Sequence, residues 1–315
     1  MLHFKLGWVA SCAALLLSTI TATVDDTDCT AGLENDIMKT ARLANEIPDG
    51  GLGILVVDQQ VSFHPGGSLA IDAANADAAR IAAFISSHTA ELSQVVLTMD
   101  SHQRYHIAHG IFWENEAGKS PSPFTPIYAQ NITDGVWKPR DSSLNEYVLE
   151  YTQSLEASGK FSLTIWPEHC IIGSPGHNIV PDVLESALEW TKASLKPIQY
   201  VMKGSNPLTE HYSALKAEYE LPYDPSTSLN TELIKSLQRA GKLVIVGEAL
   251  SHCVNFTVRD LVDNWPVERL SDLVILTDCS SPVAGFEAEA EQFLKDMAAK
   301  GLTLTTSTAF NLYAA

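Results

Sequence analysis

Short apolar, β-branched runs alternate with longer helical patterns along most of the chain, and this alternation is the feature that most limits its fold. Seven runs predict strands, at residues 53–57, 95–99, 161–165, 198–202, 243–247, 273–277 and 302–306. Helical patterns lie between them, at residues 68–87, 180–195, 230–240, 252–264 and 286–300. Several of the strands are apolar on both faces, as parallel strands between two helix layers are. We therefore predict an α/β fold, a doubly wound and mostly parallel sheet with helices on both faces.

Two stretches interrupt the alternation. Residues 102–159 are polar and rich in Pro, Asn and Tyr, and residues 197–226 contain a second irregular segment. A long excursion from a compact domain usually serves as a lid, a binding loop or a surface insertion. No internal repeat or linker requires a second domain. We predict one folded domain over residues 51–310, with the 103–158 loop shaping its pocket.

The first 22 residues have the composition of a secretory signal peptide. Lys5 supplies the positive charge, residues 6–20 are largely apolar, and cleavage after Ala22 would leave Thr23 first. The apolar run is too short to span a bilayer well, and an uncleaved signal anchor is the alternative. We predict a protein that is secreted or held in a secretory-pathway lumen, without a membrane association after signal removal. The sequence leaves open whether Cys29 forms a disulfide.

The charge balance is acidic and limits the classes of partner. The chain carries 38 Asp and Glu residues against 20 Lys and Arg residues, a formal net charge of −18. Such a charge disfavours nucleic acid and anionic membrane surfaces as partners. We expect a small-molecule substrate, and a homo-oligomer is compatible with the sequence.

Reactive side chains follow five of the predicted strands. In an open α/β sheet, ligands bind beyond the carboxyl ends of the strands. The residues that the sequence places there are Asp58, Asp100, His102, His169, Lys203 and Cys253. Their convergence on one edge of the sheet predicts a catalytic site.

Cys253 is the candidate nucleophile because it begins a predicted helix. Free backbone N–H groups and the helix dipole at that position favour a thiolate and lower the pKa of a thiol. Asp58 could accept the thiol proton and later protonate a leaving amine, and Lys203 would add positive charge. Each residue also has a plainer interpretation: an inert buried thiol, a carboxylate that caps a turn, and a solvated lysine.

Asp100, His102 and His169 are candidate ligands of a metal ion. Two of them come from one strand end and the third from a neighbouring segment, and such a set leaves positions open for water or substrate. Further ligands are available in His106, His109 and Glu114. Chance clustering among the ten histidines is the alternative.

Taken together, these segments resemble the nicotinamidases and the wider isochorismatase-like cysteine hydrolases. The similarity extends over about residues 51–307, in the order of the family's own motifs. The segments that carry it are Ile54 to Gln60, Thr98 to His102, Trp166 to Cys170, Lys203-Gly204 and Gly247 to Val254. The Trp166 to Cys170 segment is similar to the most specific motif of the nicotinamidases proper.

This resemblance implies an isochorismatase-like hydrolase fold and a catalytic triad of Asp58, Lys203 and Cys253. It also implies a cis peptide before Ala249, which would direct the Ala249 and Cys253 N–H groups at a developing oxyanion. The expected reaction is the hydrolysis of a small carboxamide to the acid and ammonia through a Cys thioester, as in pyridine nucleotide salvage.

The resemblance further implies a divalent metal held by Asp100, His102 and His169. Zinc is the expected ion, with manganese or iron as alternatives, and it would also anchor a pyridine nitrogen. Phe63 and Trp166 would wall the substrate ring.

Two departures from the family pattern leave other functions open. Val61 and Ser62 stand where the family usually has Asn and Asp, and the 103–158 loop is longer than in compact members. The alternatives are hydrolysis of another small amide, of a carbamoyl compound or of a vinyl ether, and an inactive secreted member that binds a ligand.

Overall fold

The computed structural model describes residues 38–39, 49–159 and 161–313. The predicted signal peptide and Cys29 lie outside the described residues. The chain divides into a unit of residues 1–46 and a unit of residues 47–315. In the first, the description covers Met38 and Lys39, which are helical and exposed.

Ten strands are described. They are β1 (Leu52–Val57), β2 (Leu92–Asp100), β3 (Trp113–Glu114), β4 (Pro126–Ile127), β5 (Lys138–Pro139), β6 (Leu163–Thr164), β7 (Gln199–Lys203), β8 (Lys242–Gly247), β9 (Leu273–Leu276) and β10 (Thr303–Thr305). Six of them form one sheet in the order β10-β9-β8-β1-β2-β7. Every neighbouring pair in this sheet is parallel, which confirms the predicted doubly wound α/β fold.

Seven α-helices are described with these strands. They are α1 (Ala74–Ser87), α2 (Ala129–Thr133), α3 (Asn145–Ser158), α4 (Pro181–Ser194), α5 (Thr231–Leu237), α6 (Cys253–Asp263) and α7 (Glu287–Ala299). Helices α1 and α4 pack on one face of the sheet, and α3, α5, α6 and α7 pack on the other. In the described ranges, no helix combines the length and apolar character needed to cross a membrane.

The alternation of side chains along β1 shows why the sheet is buried on both faces. All six of its residues are buried. Leu55 and Val57 belong to one hydrophobic cluster and Ile54 and Val56 to the other, because successive strand residues point to opposite faces. Apolar residues in both alternating sets therefore fix β1 in the centre of the sheet.

The strand predicted at residues 161–165 does not join the main sheet. Leu163–Thr164 instead pairs antiparallel with Pro126–Ile127. His169 is therefore not delivered by a strand end of this sheet. The backbone near it is held by His102, whose N–H donates to the Cys170 carbonyl at 3.0 Å and whose carbonyl accepts from Ile172 at 3.0 Å.

Two further features differ from the sequence predictions, the start of one helix and the content of the 103–158 region. The helix predicted from residue 68 begins at Ala74, because the preceding residues pair back onto the 61–63 segment, with Leu69 N–H on the Ser62 carbonyl at 2.9 Å. The 103–158 region is also more regular than predicted. It contains α3, whose buried residues Val148, Tyr151, Thr152 and Leu155 have helical spacing.

Candidate active site

Four adjacent strands of the sheet place the catalytic candidates at one edge. Asp58 follows β1, Asp100 ends β2, Lys203 ends β7 and Cys253 follows β8 at the start of α6. Asp100 and Lys203 are direct register partners in the β2–β7 pair. The sheet order thus brings together residues that are up to 195 positions apart, the difference between 253 and 58.

Lys203 is the centre of the arrangement. Its Nζ lies 2.9 Å from Asp58 Oδ2, 2.9 Å from Asp100 Oδ1 and 3.6 Å from Cys253 Sγ. It also donates to the backbone carbonyl of His211 at 2.8 Å. Burial alone would lower the pKa of Lys203, but the two carboxylates raise it well above its usual value. The lysine is therefore a buried ammonium ion, which excludes its interpretation as a solvated side chain.

Asp58 is held in position by its backbone and by Thr98. Its φ of 45° lies in the left-handed region, which Asp tolerates better than most residues. The Thr98 hydroxyl donates to Asp58 Oδ1 at 2.5 Å and accepts from the Asp58 N–H at 3.1 Å. Burial raises the pKa of the Asp58 carboxyl, and the Lys203 charge opposes this shift. A carboxylate with a raised pKa is the better proton acceptor.

Cys253 is the first residue of α6 and is buried and reduced. Burial raises the pKa of its thiol well above the usual value, although Lys203 opposes that effect. The prediction of a lowered thiol pKa is therefore wrong for this site. Since the thiol is protonated at rest, a nucleophile forms only when a base removes the proton.

The turn between β8 and α6 supplies two backbone N–H groups. The Glu248–Ala249 peptide is cis, as the resemblance implied. Among the described residues, the N–H groups of Ala249 and Cys253 donate no hydrogen bond. Two free backbone N–H donors are what an oxyanion hole requires.

Asp100, His102 and His169 form a compact, buried group. Asp100 Oδ2 lies 2.9 Å from His102 Nε2 and 3.2 Å from His169 Nε2. Each histidine is oriented by a carbonyl at its other nitrogen, Gly204 O at 3.3 Å from His102 Nδ1 and Pro167 O at 2.8 Å from His169 Nδ1. An Nδ1–H that donates to a carbonyl leaves the Nε2 lone pair free, the arrangement typical of metal-ligating histidines.

The three ligand atoms of this group lie within 4.8 Å of one another, so the residues fit a divalent cation. Burial alone would raise the pKa of Asp100, but His102 and Lys203 hold it well below the usual value. Asp100 is therefore an anion that contacts both halves of the site, through Oδ1 to Lys203 and through Oδ2 to the histidines.

Of the three extra ligands considered, two lie beside this group and one does not. His106 and His109 are fully buried, with ring centroids 4.3 and 5.3 Å from that of His102. Burial lowers the pKa of His106 well below the usual value and that of His109 to about 3. Glu114 instead forms ion pairs with Lys138 and Arg140.

The two aromatic residues predicted to wall the substrate contact other rings near the site. The ring of Phe63 lies edge-on to His169 at 5.6 Å, and Trp166 lies edge-on to His252 at 5.1 Å. The Trp166 indole N–H donates to the Tyr212 hydroxyl at 2.9 Å. A cavity of about 540 Å³ reaches Tyr212 and His252 but is not lined by Cys253, Phe63 or Trp166. Its lining includes Phe161, Tyr212, Ser251, His252, Phe256 and Phe286.

No protein-family model matches the chain, but two curated proteins are similar to it in sequence. A nicotinamidase of Escherichia coli (strain K12) is 28% identical over 146 residues, 45% of this chain and 58% of that protein. A nicotinamidase/pyrazinamidase of Mycobacterium tuberculosis (strain ATCC 25618 / H37Rv) is 26% identical over 237 residues, 74% of this chain and 91% of that protein.

Solved structures agree at the level of the fold. An Acinetobacter baumanii nicotinamidase superimposes with a TM-score of 0.55 at 23% identity, covering 82% of this chain and 97% of that one. A pyrazinamidase of Pyrococcus horikoshii in complex with zinc gives 0.51 at 18% identity, covering 81% and 99%.

The chain resembles nicotinamidases in sequence and in fold, which supports the resemblance to the nicotinamidase/isochorismatase-like superfamily that its motifs indicated. The structure brings the predicted candidate residues to one site, and it also gives roles to neighbours to which the sequence assigned none. Tyr212 and His252 line the cavity, and Thr98 orients Asp58. Thr98 and His252 lie within recognised motif segments and Tyr212 follows Lys203 by nine positions, so their place in the sequence was the available signal. Glu210, buried beside His102, carried no such signal because its segment was irregular.

Proposed function

We propose that the chain is a metal-assisted cysteine amidohydrolase that cleaves a small aromatic carboxamide, nicotinamide or a close analogue, to the acid and ammonia. One observation carries the proposal: the buried Lys203 ammonium contacts Asp58, Asp100 and the Cys253 sulfur at once. A structural ion pair needs only one carboxylate, whereas this arrangement joins a base, a nucleophile and a cation site. The two curated relatives, both nicotinamidases, support the same chemistry.

Asp58 begins the reaction by removing the proton of the Cys253 thiol. Lys203 stabilises the resulting thiolate, whose charge is costly in a buried site. The sulfur attacks the amide carbon, and the backbone N–H groups of Ala249 and Cys253 donate to the developing oxyanion. Asp58 returns its proton to the leaving nitrogen, so ammonia departs and a thioester remains. Water then attacks the thioester carbon while Asp58 accepts one of its protons, the C–S bond breaks to release the acid, and Asp58 returns the proton to the Cys253 sulfur.

Asp100, His102 and His169 would hold the divalent metal. A Lewis acid there would orient the substrate, in keeping with the expected contact to a pyridine nitrogen, and polarise nearby oxygen atoms. Zinc is the ion we propose first, since the ligand set suits it. Phe63 and Trp166 would contact the ring, and Tyr212 holds the Trp166 indole in place.

Ammonia release from nicotinamide tests the proposal. The purified protein, supplied with zinc or manganese, should release ammonia in a coupled enzymatic assay, and Cys253→Ala should reduce the rate to background. Cys279→Ala is the matched control, because Cys279 is also buried and reduced but takes no part in the proposed reaction. Full turnover by Cys253→Ala would refute the mechanism.

Benzamide separates the role of the ring nitrogen from that of the amide. It has the same carboxamide but no pyridine nitrogen, so we expect turnover at least about tenfold below that of nicotinamide. Equal rates for benzamide and nicotinamide would refute the proposed contact between the metal and the ring nitrogen, but they would not contradict the proposed role of Cys253.

A further inference from the structure

A second buried polar group, His106 and Glu210, lies beside His102. His106 and Glu210 are both fully buried, and their nearest ligand atoms lie within 4.8 Å of each other and of His102. Glu210 Oε1 is 4.0 Å from His102 Nε2. The amide chemistry proposed above uses neither residue, although both lie beside the metal ligands.

Glu210 is a buried carboxylate with one oxygen unused. Its Oε1 accepts the backbone N–H of His211 at 2.9 Å. Within the described part of the chain, Oε2 is inaccessible to solvent and has no hydrogen-bond partner. Leaving a carboxylate oxygen buried and unpaired is costly, so this oxygen is suited to accept a hydrogen from a bound molecule.

His106 offers the complementary group. Its Nδ1 accepts the backbone N–H of Ala108 at 3.2 Å, so the proton of the neutral ring lies on Nε2. That Nε2–H is also buried and has no partner among the described residues. A nitrogen that carries a proton does not ligate a cation, and this distinguishes His106 from His102 and His169, whose Nδ1 atoms face carbonyl oxygens.

We propose that His106 and Glu210 bind and orient a water molecule that is a ligand of the cation at Asp100, His102 and His169. Water has two hydrogens and two lone pairs. One lone pair binds the cation, the other accepts from His106 Nε2–H, and one hydrogen is donated to Glu210 Oε2. This proposal rests on the proposed metal site and is independent of the amide reaction.

Azide binding to the cobalt-loaded protein tests this assignment. Azide displaces water from a metal, but it carries a negative charge and has no hydrogen to donate to Glu210. Co²⁺ is the probe because its visible absorption spectrum changes when a ligand is exchanged. Glu210→Gln should bind azide at least about tenfold more tightly than wild type, because a buried like charge is removed. His106→Phe should bind it several-fold more weakly, because a donor is lost.

The matched control is Glu232→Gln, which makes the same change at an exposed position and should leave azide affinity within about twofold of wild type. Opposite shifts in Glu210→Gln and His106→Phe support the proposal, whereas unchanged affinities, or shifts in the same direction, overturn it. Loss of stoichiometric Co²⁺ from Glu210→Gln would also overturn it, by making Glu210 a direct ligand. So would failure of wild type to bind Co²⁺.

Circular dichroism shows whether each variant is folded. Should Glu210→Gln not fold, His106→Phe decides the question alone, and an unchanged azide affinity refutes the proposal. Ammonia release plays no part in the titration, so a protein that does not hydrolyse nicotinamide can still support this inference.

Discussion

Replacing Lys203 by methionine should both destabilise the protein and slow the proton transfer from Cys253 to Asp58. Methionine has a similar length but no charge, so the variant leaves Asp58 and Asp100 buried without the ammonium that lies 2.9 Å from each of them. Removing one partner of a buried ion pair costs about 3–5 kcal/mol. At about 2–4 °C per kcal/mol for a domain of this size, the melting temperature should fall by about 6–20 °C.

Lys203→Met also affects Asp58, the proposed base. Without the Lys203 charge the pKa of Asp58 rises further, so the carboxyl is protonated and cannot accept the thiol proton. The value of kcat/KM should fall by about 10²–10⁴-fold, the usual contribution of acid–base catalysis. Differential scanning calorimetry with EDTA, and again with zinc, shows how much of the lost stability comes from Asp100, because a bound cation compensates the charge of that carboxylate. The loss of stability should therefore be smaller with zinc.

An exposed lysine provides the control for this measurement. Lys192→Met removes a solvent-exposed pair with Glu189 and should change the free energy of unfolding by less than about 1 kcal/mol. If Lys203→Met were as stable as Lys192→Met, the charge at Lys203 would not hold the site together, and the argument from its contacts would be wrong.

Three further outcomes are expected. The acid limb of kcat/KM should lie above the ordinary aspartate pKa of 3.8, because burial raises the pKa of Asp58 and activity is lost as the pH falls through it; a limb at or below 3.8 would contradict this role. Thr98→Val removes a hydrogen bond that lowers that pKa, so a pH–rate profile should show the acid limb moved to higher pH, and an unmoved limb would count against the contact. Mass spectrometry of the protein expressed in a eukaryotic secretory host should find Thr23 as the first residue, and retention of the first 22 residues would favour the signal anchor.

The sheet and the convergence of its strand ends could be predicted because they depend on local patterns. Strand β1 is apolar on both faces, which already indicates a central position. Cys253 follows β8 and begins a helix, so its place at the carboxyl edge follows from the order of elements. These features are encoded in residues that are adjacent in the chain.

Other features depend on tertiary contacts that no local pattern contains. The run at 161–165 is apolar enough for a sheet strand, but it pairs with β4 in the long insertion. The thiol of Cys253 is at a helix N-terminus, yet burial outweighs that effect on its pKa. Whether His106 can ligate a metal is decided by one backbone contact, from the Ala108 N–H.

The two oxygens of Asp100 have an evolutionary consequence. One oxygen contacts Lys203 and the other faces His102 and His169. A substitution of Asp100 that removed the cation would therefore also remove a carboxylate that contacts Lys203, the lysine beside the nucleophile. Descendants that abandon the metal should retain the carboxylate while losing the histidines, or should acquire a new anion near the lysine. The same constraint applies to a designer who wishes to convert this scaffold into a metal-independent hydrolase.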